Sequence, residues 1–258
     1  MKVTFLGTSH GIAEKNQFCS SALVSVGCKH YVIDAGAPLM TLLKNHDVAY
    51  EDVQGIFITH SHADHFMGLL EFTWQINCFG CFENVHIPVY VPDEQKYKEM
   101  FQFLFGKPEF TGRLEYQVYG DGVIFDDGTL KVTAIPVGHY PNAHAFMLEA
   151  EGKRVVFTGD MSHDLHDYPQ PIVEKECDLV VIEGAHFTLD DDKIVNILKQ
   201  SKCKKMLVNH CNFARNTKEV LANFYQKVNG AFEIDYAYDT MCVDLMRGGT
   251  YCGGYSNT

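Results

Sequence analysis

His60-Ser61-His62-Ala63-Asp64-His65 gathers three histidines and one carboxylate into a single hexapeptide, directly after the apolar run at 56–58. Imidazole nitrogen and carboxylate oxygen are the donors that zinc takes, and manganese and iron take them too. Residues two apart on an extended chain point the same way, so His60 and His62 can reach one ion. Asp64 and His65 fall at the start of a helical stretch, turned toward a second ion.

Three later positions have the same character. His139 ends Ala134-Ile135-Pro136-Val137-Gly138-His139, Asp160 ends Val155-Val156-Phe157-Thr158-Gly159-Asp160, and His210 ends Met206-Leu207-Val208-Asn209-His210. Each follows a β run, where a side chain can be held rigidly at a sheet edge. Added to the hexapeptide they make seven ligands, the number needed for two ions about 3.5–4 Å apart with one bridging carboxylate.

This pattern resembles the metallo-β-lactamase superfamily over nearly the whole chain, with the motifs in the family's order. The resemblance implies an α/β fold, an αββα sandwich of two mixed β-sheets with flanking helices, and a site at one edge. It also implies that His60, His62 and His139 hold one metal, that Asp64, His65 and His210 hold the other, and that Asp160 lies between them. Phe5-Leu6-Gly7-Thr8-Ser9-His10-Gly11, Ser20-Ser21-Ala22 and Ile33-Asp34-Ala35-Gly36 are similar to the ribonuclease Z branch. That branch also holds phosphodiesterases of small cyclic phosphates. His139 followed by Phe146 echoes the branch's His-x6-Tyr spacing.

Two departures argue against tRNA processing. Where ribonuclease Z enzymes carry a His-Glu-Ala-Thr box with an acid histidine, this chain reads Ile182-Glu183-Gly184-Ala185-His186. Nor is there a Gly/Pro-rich insertion like the arm that grips tRNA. The expected cofactor is a pair of divalent ions, Zn2+ first, with Mn2+ or Fe2+ as substitutes.

Two divalent ions, two carboxylates and a bridging hydroxide leave about +1 at such a centre, which favours an anionic substrate. The expected function is a metal-dependent hydrolase, a phosphodiesterase in which metal-activated hydroxide attacks a small or nucleotide-like phosphodiester. Asp64 would orient the nucleophile, with His186, His163 or Tyr140 protonating the leaving group. The alternatives are hydrolysis of a lactone, thioester or β-lactam, a ribonuclease Z-type endoribonuclease, and a non-catalytic diiron or metal-binding module. His10 and His144 lie near the motifs but are not expected to be ligands.

The elements that must position these residues read as strands at 3–6, 22–26, 31–33 and 56–58, with helices at 38–45 and 66–76. A strand at 87–91 then leads into a helix that starts at Pro92-Asp93 and runs to about Gly106. Further strands are expected at 116–119, 130–135, 145–149, 154–157, 179–182 and 206–208, with helices at 192–200 and 215–228. Strands followed by helix, given twice, suit two sheets with helices outside in one domain over 1–258.

Composition narrows the partners. The 258 residues carry a net charge of −12, and Lys202, Lys204 and Lys205 are the one tight basic group, so no stripe exists for extended nucleic acid. A small anionic substrate fits better. The chain begins in strand-like residues with no leader pattern, and no apolar stretch reaches membrane-spanning length. Nine cysteines without regular spacing suggest reduced thiols in a cytoplasmic protein. Cys78-Phe79-Gly80-Cys81 reads as two part-buried thiols. Phe101, Phe103, Phe105 and Phe110 read as core or homodimer-facing packing, and Phe79 and Phe82 as possible pocket walls.

Overall fold

Short apolar runs punctuated by glycine build two sheets. The computed structural model describes residues 1–109, 112–247 and 249–252. It divides into two compact units, one of Met1–Gly7, Gly11–Tyr119 and Asp239–Thr258, the other of Thr8–His10 and Gly120–Tyr238.

In chain order the first unit contains β1 (Lys2–Gly7), β2 (Ser21–Val26), β3 (Lys29–Ala35), α1 (Leu39–Asn45), β4 (Val53–Phe57), α2 (Ala63–Cys78), β5 (Ile87–Val91), α3 (Glu94–Phe105) and β6 (Leu114–Val118). The second contains β7 (Gly122–Asp126), β8 (Lys131–Pro136), β9 (His144–Ala150), β10 (Lys153–Phe157), α4 (Gln170–Glu174), β11 (Cys177–Gly184), α5 (Asp192–Leu198), β12 (Cys203–Cys211), α6 (Lys218–Val228) and β13 (Glu233–Tyr236). The chain then returns to the first unit with β14 (Met241–Asp244) and β15 (Gly249–Cys252).

The first sheet runs β15-β14-β1-β2-β3-β4-β5-β6 and the second β13-β12-β11-β10-β9-β8-β7. Strands β1 to β6 pair antiparallel twice and then parallel three times. Strands β8 to β13 repeat that order. Parallel strands put all their carboxyl ends at one edge, and in such sheets that edge is where sites are built. Strand β3 is buried without interruption from Tyr31 to Ala35, the pattern of a strand covered on both faces. Each unit has its own apolar cluster. Val32, Ile56, Val89 and Leu69 contribute to the first, and Val156, Val180, Val208 and Phe224 to the second.

Several expectations shift. Helix α2 begins at Ala63 instead of 66, so Asp64 and His65 lie in its first turn. Helix α6 begins at Lys218, not 215, because the Thr217 hydroxyl caps it by accepting from Val220 N. Of Pro92 and Asp93, it is Asp93 that caps α3, its carboxylate accepting from Gln95 N and Lys96 N. The sequence reading missed β7, α4 and β13 to β15, which are four or five residues long and carry little periodicity. Cys78 and Cys81 are exposed rather than part-buried, because they sit at and beyond the frayed end of α2.

Of the phenylalanines, Phe101 is buried and Phe105 packs on the core, while Phe103 is 77% exposed. Phe110 lies outside the described residues. Phe82 packs edge-on to Tyr50, and Phe79 edge-on to Trp74. No helix among the described residues is long and apolar enough to cross a membrane.

Helix α2 carries the hexapeptide's second half and lies hard against the turn after β3. A Cβ on Gly68 would fall 1.7 Å from the Ala37 carbonyl oxygen. Gly68→Ala is therefore expected to destabilise by about 1–3 kcal/mol through overpacking. Thermal denaturation would show this as a melting point lower by several degrees, at roughly 2–4 °C per kcal/mol for a chain of this size.

Candidate metal centre

The first unit supplies His60, His62, Asp64 and His65 from the segment joining β4 to α2. Their orientation is set one strand away, by Asp34 near the end of β3. Its buried carboxylate accepts from Thr59 N at 2.8 Å and from the Thr59 hydroxyl at 3.0 Å. It also accepts from His65 Nδ1 at 2.8 Å. An ionised carboxylate has no proton to give, so His65 carries its proton on Nδ1 and turns the basic Nε2 outward for a cation.

The Thr59 hydroxyl gives its one proton to Asp34, so its oxygen accepts from His60 Nδ1 at 3.2 Å. His60 therefore also presents Nε2, which sits 3.0 Å from His62 Nδ1. Asp64 Oδ2 lies 3.8 Å from His65 Nε2. A Cβ on Gly36 would fall 1.7 Å from the Asp64 carbonyl oxygen, so only glycine lets the β3 exit pass beneath this turn.

The second unit supplies His139, Asp160 and His210. The Asp160 carboxylate divides between the two histidines: Oδ2 lies 3.6 Å from His139 Nε2 and Oδ1 3.4 Å from His210 Nδ1. These separations exceed an ordinary N–H···O bond. They are close to the roughly 3.3 Å between two ligand atoms on a tetrahedral ion with bonds of about 2.0–2.1 Å. His210 gets its aim from a bulge. Glu183 pairs with Asn209 and Gly184 with Cys211, so His210 is the extra residue, held at φ 50°.

Glu183, buried near the end of β11, accepts from Met161 N at 3.1 Å, Ala185 N at 2.8 Å, His186 N at 3.0 Å and His186 Nδ1 at 3.1 Å. His186 is thus a second histidine with Nδ1 tied to a carboxylate and Nε2 presented. Its ring lies 4.4 Å from that of His139 and 5.5 Å from that of His163. His163 donates from Nδ1 to the His186 carbonyl at 2.6 Å.

Tyr140 packs on the second unit's apolar cluster. Both nitrogens of His144 are engaged, by the Asn142 carbonyl and by Asp121, as suits a residue that is not a ligand. His10 is buried edge-on to His210, with ring centroids 6.4 Å apart.

The donors fit divalent cations: imidazoles and carboxylates, with the rings of His60 and His65 held by oriented partners, and with the buried Asp160 Oδ1 and His210 Nδ1 facing each other without a hydrogen bond. Asp34 and Glu183 are the residues that sequence reasoning missed. The available signal was a carboxylate ending an apolar run, in Ile33-Asp34-Ala35-Gly36 and again in Ile182-Glu183-Gly184. Ile182, which stands where an acid histidine was sought, is fully buried in the apolar cluster and donates nothing.

A family model described as "Anti-Pycsar protein Apyc1" matches residues 1–229. The ribonuclease Z of Synechococcus sp. (strain CC9311) is 27% identical over 203 residues, covering 76% of this chain and 62% of the relative. The chain thus spans about three-fifths of the length of that relative. Among solved structures, the metallo-β-lactamase fold protein YhfI from Bacillus subtilis superposes with a TM-score of 0.70 at 20% identity, covering 97% of this chain and 98% of that one. A diphosphatase of the PhnP family gives 0.70 at 17% identity, with 94% and 97% covered. Zn2+-bound PqqB from Methylobacterium extorquens gives 0.71 at 13%, with 95% and 100% covered. The fold is the metallo-β-lactamase fold, with its two mixed sheets and flanking helices.

Proposed function

We propose that this chain, which belongs to the family of the anti-Pycsar protein Apyc1, is a metal-dependent hydrolase cleaving small or nucleotide-like phosphodiesters. Its cofactor would be a pair of divalent ions, Zn2+ in the first instance. His60, His62 and His139 would hold one ion and Asp64, His65 and His210 the other, with Asp160 available to both. The observation that carries this reading is the Asp160 carboxylate, which turns one oxygen to each of two histidines. Such ions, when bound, supply Lewis acidity at the phosphoryl oxygens and bring a water's pKa down to about 7.

The chain's own groups do the rest. Asp64 would be a ligand and would orient the nucleophile. His186, fixed by Glu183, protonates the leaving oxygen through Nε2, and His163 holds the His186 backbone in place. The net charge of −12 and the scattered basic residues favour a small anion over a long polyanion.

The metal-reconstituted protein is to be assayed against bis(p-nitrophenyl) phosphate, a cyclic nucleotide, a tRNA precursor, a lactone and nitrocefin. Turnover of the two phosphodiesters is expected. Carbonyl turnover alone would overturn the phosphodiesterase reading, and a clear preference for the tRNA precursor would favour the activity named for the Synechococcus relative. Bound iron with strong visible absorption and no hydrolysis would point to a diiron module.

His186→Ala is expected to slow a substrate with an alkoxide leaving group by roughly 10²-fold, the ordinary loss of a general acid. Bis(p-nitrophenyl) phosphate, whose leaving group needs no proton, should be nearly spared. Equal losses on both substrates would remove the acid role from His186.

A further inference from the structure

Asp160 is followed in the second unit by a strap of irregular chain through Tyr168, and His139 lies in the turn after β8. One carboxylate joins the two. Asp167 Oδ2 accepts from Gly138 N at 2.6 Å and from Ser162 N at 3.0 Å. Its Oδ1 accepts from the Ser162 hydroxyl. The donors thus come from the residue before His139 and from the second residue after Asp160, chain segments more than twenty residues apart.

We propose that Asp167 is a positioning residue that holds the His139 and Asp160 segments at the spacing two ligands of a shared metal centre require, an inference that rests on the metal-dependent reading above.

The surroundings make Asp167 a fixed point rather than a surface group. Leu165, two residues earlier, is buried in the second unit's apolar cluster and adopts φ 54°, a conformation that a leucine keeps only when its surroundings impose it. Tyr168, one residue later, is buried and shares a 2.7 Å hydrogen bond with Ser201. The strap therefore cannot slide.

The turn carrying His139 is closed on itself by Val137 N to the Ala143 carbonyl and Ala143 N to the Tyr140 carbonyl. Asp167 ties these two rigid pieces together. A Cβ on Gly138 would lie 3.3 Å from His166 Nε2 and 3.4 Å from Asp167 Oδ2, so the turn rests directly on the strap. Burial would raise the Asp167 pKa, but the Ser162 hydroxyl and the Gly138 and Ser162 amides outweigh it and hold the group below the usual carboxylate range. The charged acceptor that the clamp needs is therefore present at neutral pH.

An isosteric amide tests the role. Asp167→Asn leaves one good acceptor for three donors and turns an N–H2 toward amide hydrogens. Chelated apoprotein of the full chain is titrated calorimetrically with Zn2+, and the Co2+-loaded protein is examined for its ligand-field bands. Asp167→Asn is expected to bind at least one ion roughly 10–100-fold more weakly, the usual consequence of losing a group that orients ligands, and to shift the Co2+ bands. Glu174→Gln alters an exposed carboxylate of α4 in the same unit and should leave both readouts as in wild type.

Apoprotein circular dichroism reports folding. If Asp167→Asn does not fold, Ser162→Ala removes one donor without a charge change and should weaken Zn2+ several-fold. A folded Asp167→Asn, or a folded Ser162→Ala, with wild-type affinity and unshifted bands overturns the inference alone. A wild-type chain that takes up no ion overturns the metal reading itself, and this inference with it.

Discussion

Asp160→Asn is expected to lower phosphodiester turnover by about four orders of magnitude and to abolish the thermal stabilisation that added Zn2+ gives the wild type. The carboxylate is 3% exposed and faces His139 through one oxygen and His210 through the other, with His186 Nδ1 also 3.8 Å away. An amide keeps the shape but loses the charge and can offer only one oxygen, so it cannot bridge. Catalysis then forgoes several kcal/mol of charge stabilisation at the phosphoryl group, and each 1.36 kcal/mol is tenfold in rate.

Stability should respond in the opposite sense. Without metal the wild type buries an anion among imidazoles, so the variant's apoprotein should melt no lower than the wild-type apoprotein. Adding Zn2+ raises the wild-type melting point by mass action, and should leave that of the variant almost unchanged. Metal content, steady-state kinetics and paired melting curves measure all three effects. Near-wild-type turnover in a metal-loaded variant would show that Asp160 does not bridge.

Asp34 should matter almost as much, though it need touch no ion. Asp34→Ala orphans Thr59 N, the Thr59 hydroxyl and His65 Nδ1, all in buried surroundings. At about 1–3 kcal/mol per stranded group, a loss of at least about 3 kcal/mol is expected, or roughly 6–12 °C in melting point. Asp34 also sits at φ 58°, where alanine adds strain and asparagine adds little.

Asp34→Asn therefore separates the two roles, with a smaller fall in melting point. Zn2+ affinity should still drop by roughly 10–100-fold, because neither His65 nor His60 is then held to one tautomer. Calorimetric titration of both variants measures the affinity. Wild-type Zn2+ affinity in Asp34→Asn would mean that the ring orientations are set by something else.

The candidate ligands could be read from the sequence because their signal is local. Alternation places His60 beside His62, and glycine or polar residues ending an apolar run mark His139, Asp160 and His210 as strand-end positions. The longer strands were legible for the same reason, as runs of β-branched and aromatic residues. Strand β14 was not, since Met241-Cys242-Val243-Asp244 becomes a strand only by pairing with β1 from the opposite end of the chain.

What the sequence alone determined is the inventory of candidate donors and their order: four in one hexapeptide and three more after apolar runs, in a chain of net charge −12. Tertiary structure decided how those donors are aimed. Asp34 meets His65 across 31 residues, Asp167 meets Gly138 across 29, and His210 turns because one strand carries a residue more than its neighbour. Residue type and spacing are properties of a short stretch, whereas a hydrogen bond between distant segments exists only once sheet register brings them within 3 Å.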